Sequence, residues 1–300
     1  MSAGVDKSDM LSVSGWARVE RAKPHGGFTL GRDFCGVVVE AGHGVTHVHP
    51  GDRVWGAVPY HQSGTLSEQI VVWGSNVTRM PSNLNWEGGA TVPYSAMQVW
   101  LAIVTAGHLV PDQAAGIRVL IIDGVTDTGC LATQLCCLWG AHVTVVCAPR
   151  AVQLAAALGA HMVIPSQESS ISMITNIQEA SPYHLIVQCG DILPISKIQL
   201  LKSIQTKTTS TLPTLLATDG WGYFRRVFWH PLWRSLISAP QSPPSTIIKE
   251  SLSYVQEAVQ KGKLQPVLDK VFSPSEVSSA LQRLATQDIV GKSVVLFDRI

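Results

Sequence analysis

The chain has 300 residues, of which 46% are hydrophobic, so it is long enough for one large or two ordinary domains with a substantial core. Its formal net charge of +1 provides no bulk electrostatic attraction to nucleic acid. The six cysteines include no C-x-x-C pair, which argues against a zinc site of that type and favours buried free thiols. We find no uncharged apolar run of about 18 residues that would span a membrane, and the first ten residues lack the features of a targeting segment.

Short strands separated by glycine-containing turns are predicted in residues 27–80. The strands are expected at 35–40, 53–58 and 69–73, because each segment is rich in β-branched or aromatic residues. This pattern predicts a small β-rich domain in the N-terminal part of the chain.

From about residue 100, apolar strands alternate with helices. The strands are rich in β-branched residues, as expected of parallel strands covered on both faces, and are predicted at 119–122, 143–147, 162–164 and 185–187. The intervening helices are predicted at 130–139, 150–158 and 170–180. This alternation predicts an α/β fold with a doubly wound parallel sheet.

The C-terminal part of the chain predicts two more helices and a closing strand. Apolar residues at helical spacing predict a helix at 246–261 that ends at Gly262: Ile248, Leu252, Val255 and Val259. Ser273 and Glu276 form a capping box, which predicts a helix from there through Leu284. A strand is predicted at 292–297.

Residues 207–245 show no clear periodicity, but they contain a basic aromatic cluster at 224–234. Arginines interleaved with aromatic rings are compatible with peripheral contact to a membrane surface, which would suit a lipid-soluble substrate. A lid or packing between domains explains the same composition, and both interpretations stay open.

Several motifs of the chain are similar to those of one enzyme family. They are Gly31-Arg-Asp-Phe-Cys-Gly36, Pro50-Gly-Asp-Arg-Val-Trp-Gly56, Gly64-Thr-Leu-Ser-Glu68, Gly262-Lys-Leu-Gln-Pro-Val-Leu268 and Gly291-Lys-Ser-Val-Val295. On these residues the chain resembles the zinc-free quinone oxidoreductase branch of the medium-chain dehydrogenase/reductase superfamily. The resemblance implies a Rossmann domain at 100–245 and a GroES-like β-rich domain at 1–99 and 246–300.

The same resemblance predicts that the GroES-like domain is truncated at its N-terminus. Gly4 to Asp9 align with a family segment that follows two strands. A domain without those strands would have an open sheet edge that needs covering.

The resemblance also implies an activity. Members of this branch bind NADPH between the two domains and transfer a hydride to a quinone or an activated alkene. Since the nicotinamide carries the chemistry, we expect no zinc and no single catalytic side chain. Mitochondrial members are linked to coenzyme Q biosynthesis, which implies a mitochondrial location; without that link we would expect a cytoplasmic protein. An oligomer and a protein partner are both compatible with this interpretation.

The turn between the first parallel strand and its helix is the candidate pyrophosphate site. It consists of Gly124, Val125, Thr126, Asp127, Thr128 and Gly129. The family has a glycine-rich turn here, whereas the β-branched Thr126 would crowd a pyrophosphate and the Asp127 carboxylate would repel it. The following helix N-terminus favours phosphate binding. Retained and lost nucleotide binding are therefore both open.

The residues after strand 143–147 bear on the type of cofactor. No acidic residue follows Cys147, so a partner for a ribose 2′-hydroxyl is missing and NAD is disfavoured. Arg150 would bind the 2′-phosphate of NADPH or would be an exposed residue of the first helical turn. The resemblance places two other contacts to this phosphate at Ala148 and Ser166, where the family serine and tyrosine are replaced.

The nicotinamide and substrate positions are also changed. The resemblance places Gln98 where the family has a threonine, and Cys189 lies in the segment that replaces a glycine-rich family motif. Tyr60 and Tyr94 would border the substrate, although such aromatic residues more often belong to a core. His43, His47 and His49 lack a thiolate or carboxylate partner, which favours surface histidines over a metal site.

Two functions follow from these observations. The first is an NADPH-dependent oxidoreductase that acts on a quinone or an activated alkene, and the motifs at 55–68 favour it. The alternative is a catalytically impaired relative that acts as an interaction or scaffold protein after loss of the glycine-rich cofactor loop. The altered turn at 124–129 favours this alternative.

Overall fold

The structure is a computed structural model. It describes residues 1–13, 29–59, 62–166, 170–180, 182–190, 214–217, 245–286 and 288–297. They form two compact units: one contains Met1–Met97 with the described part of Val227–Ile300, and the other contains the described part of Gln98–Arg226.

Strands and helices follow in chain order. The N-terminal elements are β1 (Ser2–Val5), α1 (Lys7–Val13), β2 (Asp33–Val37), β3 (Arg53–Ala57), β4 (Val77–Arg79), α2 (Trp86–Gly89) and α3 (Pro93–Trp100). The central elements are β5 (Arg118–Ile122), α4 (Asp127–Leu138), β6 (His142–Cys147), α5 (Val152–Ala157), β7 (Met162–Pro165), α6 (Ser170–Glu179), β8 (Leu185–Gln188) and β9 (Thr214–Ala217). The C-terminal elements are α7 (Ser245–Gln260), β10 (Leu268–Phe272), α8 (Val277–Leu284) and β11 (Lys292–Leu296).

The first unit contains a six-stranded sheet with the order β10-β11-β1-β2-β3-β4. β1 lies between the antiparallel strands β11 and β2, with Ser2 opposite both Leu296 and Cys35. The sequence did not predict β1, because Ser-Ala-Gly-Val carries no alternation of apolar and polar residues. All four residues of β1 are buried, so both faces of this strand are covered.

The predicted strand at 69–73 is wrong. The strand that pairs with β3 is β4, and residues 69–73 belong to no sheet. The side chains of 69–73 do alternate between half-buried and exposed positions. The period-two signal is therefore present, but a strand also needs a partner for its backbone groups.

The second unit contains a five-stranded parallel sheet with the order β7-β6-β5-β8-β9. This confirms the doubly wound parallel sheet, and the four predicted strands end within one residue of the observed ones. Apolar residues of β5, β6 and β8 pack with those of α6 to form a buried core: Leu120, Ile122, Val146, Ile177 and Ile186 among them. β9 was not predicted.

The C-terminal helices agree with the sequence patterns. The predicted stripe of α7 is buried: Ile248, Leu252, Val255 and Val259. The helix is followed by Gly262 with φ +70, a left-handed conformation that favours glycine at helix ends. The Glu276 carboxylate accepts hydrogen bonds from the Ser273 N–H at 2.9 Å and hydroxyl at 2.8 Å, so the capping box is confirmed.

Two further predictions concern membranes. None of the described helices is both long enough and apolar enough to cross a bilayer. The basic aromatic cluster at 224–234 lies outside the described residues.

Candidate functional site

The turn that follows β5 lies at the carboxyl edge of the parallel sheet. The N–H groups of Asp123 and Gly124 donate to the Val146 carbonyl at 2.8 and 3.2 Å, which holds the turn against β6. Asp123 has φ +63 and turns the chain toward α4. In doubly wound sheets this edge is where ligands bind.

Both glycines of the turn are required by close packing. A Cβ atom at Gly124 would lie 2.7 Å from the Val145 side chain, and one at Gly129 would lie 2.4 Å from the Asp123 carbonyl oxygen. The backbone atoms around Gly129 cannot move aside without opening the turn. The two glycines therefore keep the N-terminus of α4 close to the end of β5, as in a dinucleotide-binding turn.

Thr126 caps the N-terminus of α4, a role that sequence reasoning missed. Its backbone is extended, with φ −66 and ψ 173, and its hydroxyl accepts the Gly129 N–H at 3.1 Å. The same hydroxyl lies 3.1 Å from the Asp123 carbonyl and 3.3 Å from the Cys189 carbonyl, so it can donate to either. The N–H of Gly129 is one of the donors that a helix N-terminus would offer to a phosphate. A phosphate that uses this donor must displace the Thr126 cap.

The remaining residues of the turn surround this cap. Val125 and Thr128 are buried, and Asp127 is half-buried in the first turn of α4. A carboxylate at this position stabilises the positive end of a helix dipole and repels an incoming phosphate.

The strand order of the parallel sheet reverses between β5 and β8. The end of β8 therefore lies beside the turn that follows β5. The Cys189 N–H donates to the Ile122 carbonyl at 2.9 Å, so Cys189 directly continues the pairing. A Cβ atom at Gly190 would lie 2.0 Å from the Asp123 carboxylate. A side chain at Gly190 would therefore require the Asp123 side chain to move.

The candidate adenosine residues lie at neighbouring strand ends. Cys147 pairs with Pro165, and the Ser166 N–H donates to the Cys147 carbonyl at 2.7 Å. Ala148 and Ser166, both half-buried, therefore follow adjacent strands at the same edge as the turn. Arg150 is exposed in a short 3₁₀ turn, Pro149–Ala151.

The substrate candidates differ in their placement. Tyr60 lies outside the described residues. Tyr94 is only 5% exposed on α3, and its N–H donates to an Asp33 carboxylate oxygen at 2.6 Å. Gln98 is half-buried on the same helix.

A buried charge cluster in the first unit was also missed. The Lys292 ammonium donates to the Asp33 carboxylate at 2.6 Å and lies 3.8 Å from the Asp6 carboxylate. Asp9 is fully buried and accepts the Gly31 N–H at 2.7 Å. Asp33 and Lys292 lie in two motifs that the sequence shows, Gly31-Arg-Asp and Gly291-Lys-Ser. No sequence pattern predicts that these two side chains contact each other.

Burial changes the acidity of two carboxyl groups in this cluster. It raises the pKa of Asp9 to about 7, and the nearby Asp6 carboxylate adds to this effect, against the charge of Arg32. Burial also raises the pKa of Asp33 to about 6, although the charge of Lys292 favours its ionised form. The folded protein therefore holds protons on these groups more tightly than the unfolded chain does.

This cluster predicts a decrease in stability as the pH rises. An unfolded aspartate ionises near pH 3.9, so the Asp9 contribution to the free energy of unfolding should fall between about pH 4 and 7 and then level off. Urea unfolding of the wild type and of Asp9→Asn at several pH values between about 5 and 8 measures this effect.

The difference in stability between the wild type and Asp9→Asn reports the contribution of Asp9 alone. Burial lowers the pKa of His142, which makes stability rise with pH in the same range, but this ring and Asp33 are present in both proteins. The wild type should lose stability relative to Asp9→Asn as the pH rises. A difference that stays constant with pH would contradict the assignment.

Histidines and cysteines were also considered as metal ligands or nucleophiles. His43, His47 and His49 are exposed, as predicted. Among the described residues, no group of three or more His, Cys, Asp or Glu side chains could hold a metal ion. The six cysteines are free thiols, and burial raises the pKa of Cys147 to about 11.

The fold is that of a medium-chain dehydrogenase/reductase. The family of alcohol dehydrogenase GroES-like domains matches residues 1–82. The solved structure of an alcohol dehydrogenase superfamily protein from Novosphingobium aromaticivorans matches with a TM-score of 0.75 at 21% identity, covering 98% of this chain and 89% of that chain. CurK enoyl reductase matches with a TM-score of 0.73 at 18% identity, covering 99% of this chain and 89% of that chain.

Sequence comparison narrows the family. The human NAD(P)H oxidoreductase RTN4IP1, mitochondrial, is 33% identical over 287 residues, which are 89% of this chain and 70% of that protein. The chloroplast envelope quinone oxidoreductase homolog of Arabidopsis thaliana is 24% identical, over 88% of this chain and 78% of that protein. The chain belongs to the family of the mitochondrial NAD(P)H oxidoreductases named RTN4IP1, within the medium-chain dehydrogenase/reductase superfamily.

Proposed function

We propose that the protein is an NADPH-dependent oxidoreductase that reduces a quinone or an activated alkene. The observation that carries this proposal is the tight turn between β5 and α4, which presents a helix N-terminus at the edge of the sheet where nucleotides bind. Its close packing requires both Gly124 and Gly129. Both glycines maintain the close approach of helix and strand that a pyrophosphate-binding turn also requires.

The residues around the turn suit the parts of a dinucleotide. The N-terminus of α4 would hold the pyrophosphate, and the exposed guanidinium of Arg150 would bind the 2′-phosphate that distinguishes NADPH from NADH. When bound, the nicotinamide supplies the hydride. This chemistry needs neither zinc nor a charged catalytic side chain.

The names of the relatives support the substrate class and the location. The plant relative is named as a quinone oxidoreductase homolog, and the human relative as a mitochondrial NAD(P)H oxidoreductase. We therefore propose a quinone-type acceptor and a mitochondrial location for this protein. The name of the Caenorhabditis elegans relative, reticulon-4-interacting protein 1, favours an additional protein partner.

Titration with NADPH and NADH, followed by nicotinamide fluorescence, tests the proposal. We expect micromolar NADPH binding and weaker NADH binding. Arg150→Ala should weaken NADPH binding by roughly 10- to 100-fold, because a hydrogen bond to a charged group is worth about 1.5–3 kcal/mol. It should leave NADH binding unchanged.

A matched arginine variant serves as the control. Arg79 is also exposed, and it pairs with Asp52. Both residues lie in the unit that does not contain Arg150, so Arg79→Ala should not change binding of either nucleotide. Equal effects of both substitutions, or an equal loss of NADH binding in Arg150→Ala, would contradict the role of Arg150. A screen of quinones and enones for NADPH oxidation then identifies the acceptor.

The alternative function has one specific observation in its favour. The Thr126 hydroxyl already accepts the Gly129 N–H, so the protein itself uses a donor that a phosphate would need. If the folded protein binds neither nucleotide, the interaction or scaffold function becomes the better explanation.

A further inference from the structure

Besides Asp127, the candidate nucleotide site contains a second acidic side chain, that of Asp123. This residue directly follows β5 and directly precedes the turn at 124–129. Its backbone has φ +63, a left-handed conformation that is common for glycine and uncommon for most other residues, although aspartate and asparagine accept it. A glycine would adopt this conformation without adding a side chain, whereas Asp123 adds a carboxylate.

The carboxylate of Asp123 lies at the point where the strand order of the parallel sheet reverses, between the ends of β5 and β8. One of its oxygens is 2.0 Å from the place where a Cβ atom of Gly190 would stand. The carboxylate therefore occupies the position that a side chain at Gly190 would take, beside the end of β8.

The charge of Asp123 also acts on the strand at the other side of β5. Cys147 is the last residue of β6. Burial raises the pKa of the Cys147 thiol to about 11, and the charge of Asp123 adds to this effect, against the charge of Arg150. The negative charge is therefore placed centrally at the carboxyl edge of the sheet.

This position matters for any ligand that carries phosphates. In doubly wound sheets, the pyrophosphate of a dinucleotide binds at the carboxyl edge, where the strand order reverses. The pyrophosphate is negatively charged in NADPH and in NADH alike, so a carboxylate in the same place repels both. Asp123 is half-buried, so solvent screens this repulsion only in part.

We infer that Asp123 sets the affinity of this site for dinucleotides by opposing their pyrophosphate, an inference that rests on the proposed function. Asp123 should therefore change the affinity for NADPH and for NADH by a similar factor. Arg150, by contrast, should change the ratio of the two affinities, because the 2′-phosphate is present only in NADPH. The effects of the two charged side chains are separable in this way.

Fluorescence titration of Asp123→Asn with NADPH and with NADH tests the inference. Asparagine has nearly the same volume and accepts the same left-handed conformation, so the substitution removes the charge and little else. The Asp123 carbonyl, which lies 3.1 Å from the Thr126 hydroxyl, is retained. We expect both dissociation constants to fall about tenfold, because like charges several ångströms apart at an effective dielectric constant of about 20 repel strongly enough for this factor.

Asp112→Asn is the matched control. Asp112 is also left-handed, with φ +60, and it is exposed in the segment before β5, on the amino side of this strand. The same chemical change at this place should leave both dissociation constants at their wild-type values. An equal fall in both variants would show a general effect of net charge and overturn the role of Asp123.

The salt dependence separates charge from packing. The ratio of the dissociation constants of wild type and Asp123→Asn should decrease as NaCl is raised from about 0.05 to 0.5 M, because salt screens the repulsion. Arg150 is present in both proteins, so its own response to salt is common to both and does not change this ratio. A ratio that is independent of salt would assign the effect to packing and overturn the inference.

Asp123→Gly is a second variant, which removes the whole side chain and suits the left-handed backbone. It should bind both nucleotides at least as tightly as Asp123→Asn. A wild type that binds NADPH, together with unchanged binding in both variants, overturns the inference and leaves the proposed function standing. A wild type that binds neither nucleotide, together with an Asp123→Gly that binds both, supports the inference and contradicts the proposed function. A folded Asp123→Gly that binds no better than the wild type overturns the inference in either case.

Discussion

Replacing Lys292 with alanine should lower the free energy of unfolding by roughly 3–5 kcal/mol, because it leaves a buried carboxylate without its counter-charge. Lys292 and Asp33 are both fully buried and lie 2.6 Å apart. The Asp33 carboxylate also accepts the Tyr94 N–H, so it cannot turn away without breaking a second hydrogen bond. Urea unfolding at neutral pH measures the loss.

Two comparisons separate this effect from simple loss of a side chain. Lys261→Ala removes an exposed lysine that pairs with Glu257, and it should cost less than about 1 kcal/mol. The double variant Asp33→Asn with Lys292→Met removes both charges and keeps an acceptor for Tyr94, so it should be more stable than Lys292→Ala alone. Equal losses in the single and double variants would show that the charge is not the cause.

Thr126→Gly should raise NADPH affinity by roughly 10- to 100-fold. The substitution frees the Gly129 N–H for a phosphate, and a hydrogen bond to a charged group is worth about 1.5–3 kcal/mol. Glycine is accepted at a helix N-cap at a cost of a few tenths of a kcal/mol, so α4 should remain intact. Fluorescence titration of wild type and variant gives the ratio of dissociation constants.

Thr126→Ser distinguishes the cap from steric crowding. Serine keeps the hydroxyl but removes the methyl group, so affinity should stay at the wild-type value if the cap limits binding. Affinity that rises equally in both variants would instead identify the methyl group as the obstacle. No change in Thr126→Gly would show that this turn does not limit nucleotide binding.

The sequence predicts the parallel sheet well because its signals are local. The strands are continuous apolar runs and the helices carry their own caps, as at Ser273 and Gly262. The sequence does not predict β1, because this strand depends on pairing with β11, almost 300 positions away in the sequence. The pair of Asp33 and Lys292 is not predicted for the same reason, with 259 positions between its members.

The candidate site was predictable in position but not in detail. Two glycines around a strand-to-helix turn were enough to place Gly124 to Gly129 at the edge of the sheet. The sequence shows that Thr126 replaces a smaller residue, and it predicts crowding. Only the geometry shows that the Thr126 hydroxyl binds a backbone donor of its own helix and reaches toward Cys189.

The position of β1 between β2 and β11 determines the order in which the two units can form during synthesis. β11 (Lys292–Leu296) follows β1 by almost 300 positions, so it leaves the ribosome long after β1. At roughly 5–20 residues per second, β1 waits on the order of 15–60 seconds for this partner. The parallel sheet, whose strands all lie between, can assemble in that interval. The five-stranded parallel sheet can therefore form before the six-stranded sheet gains its pairing between β1 and β11.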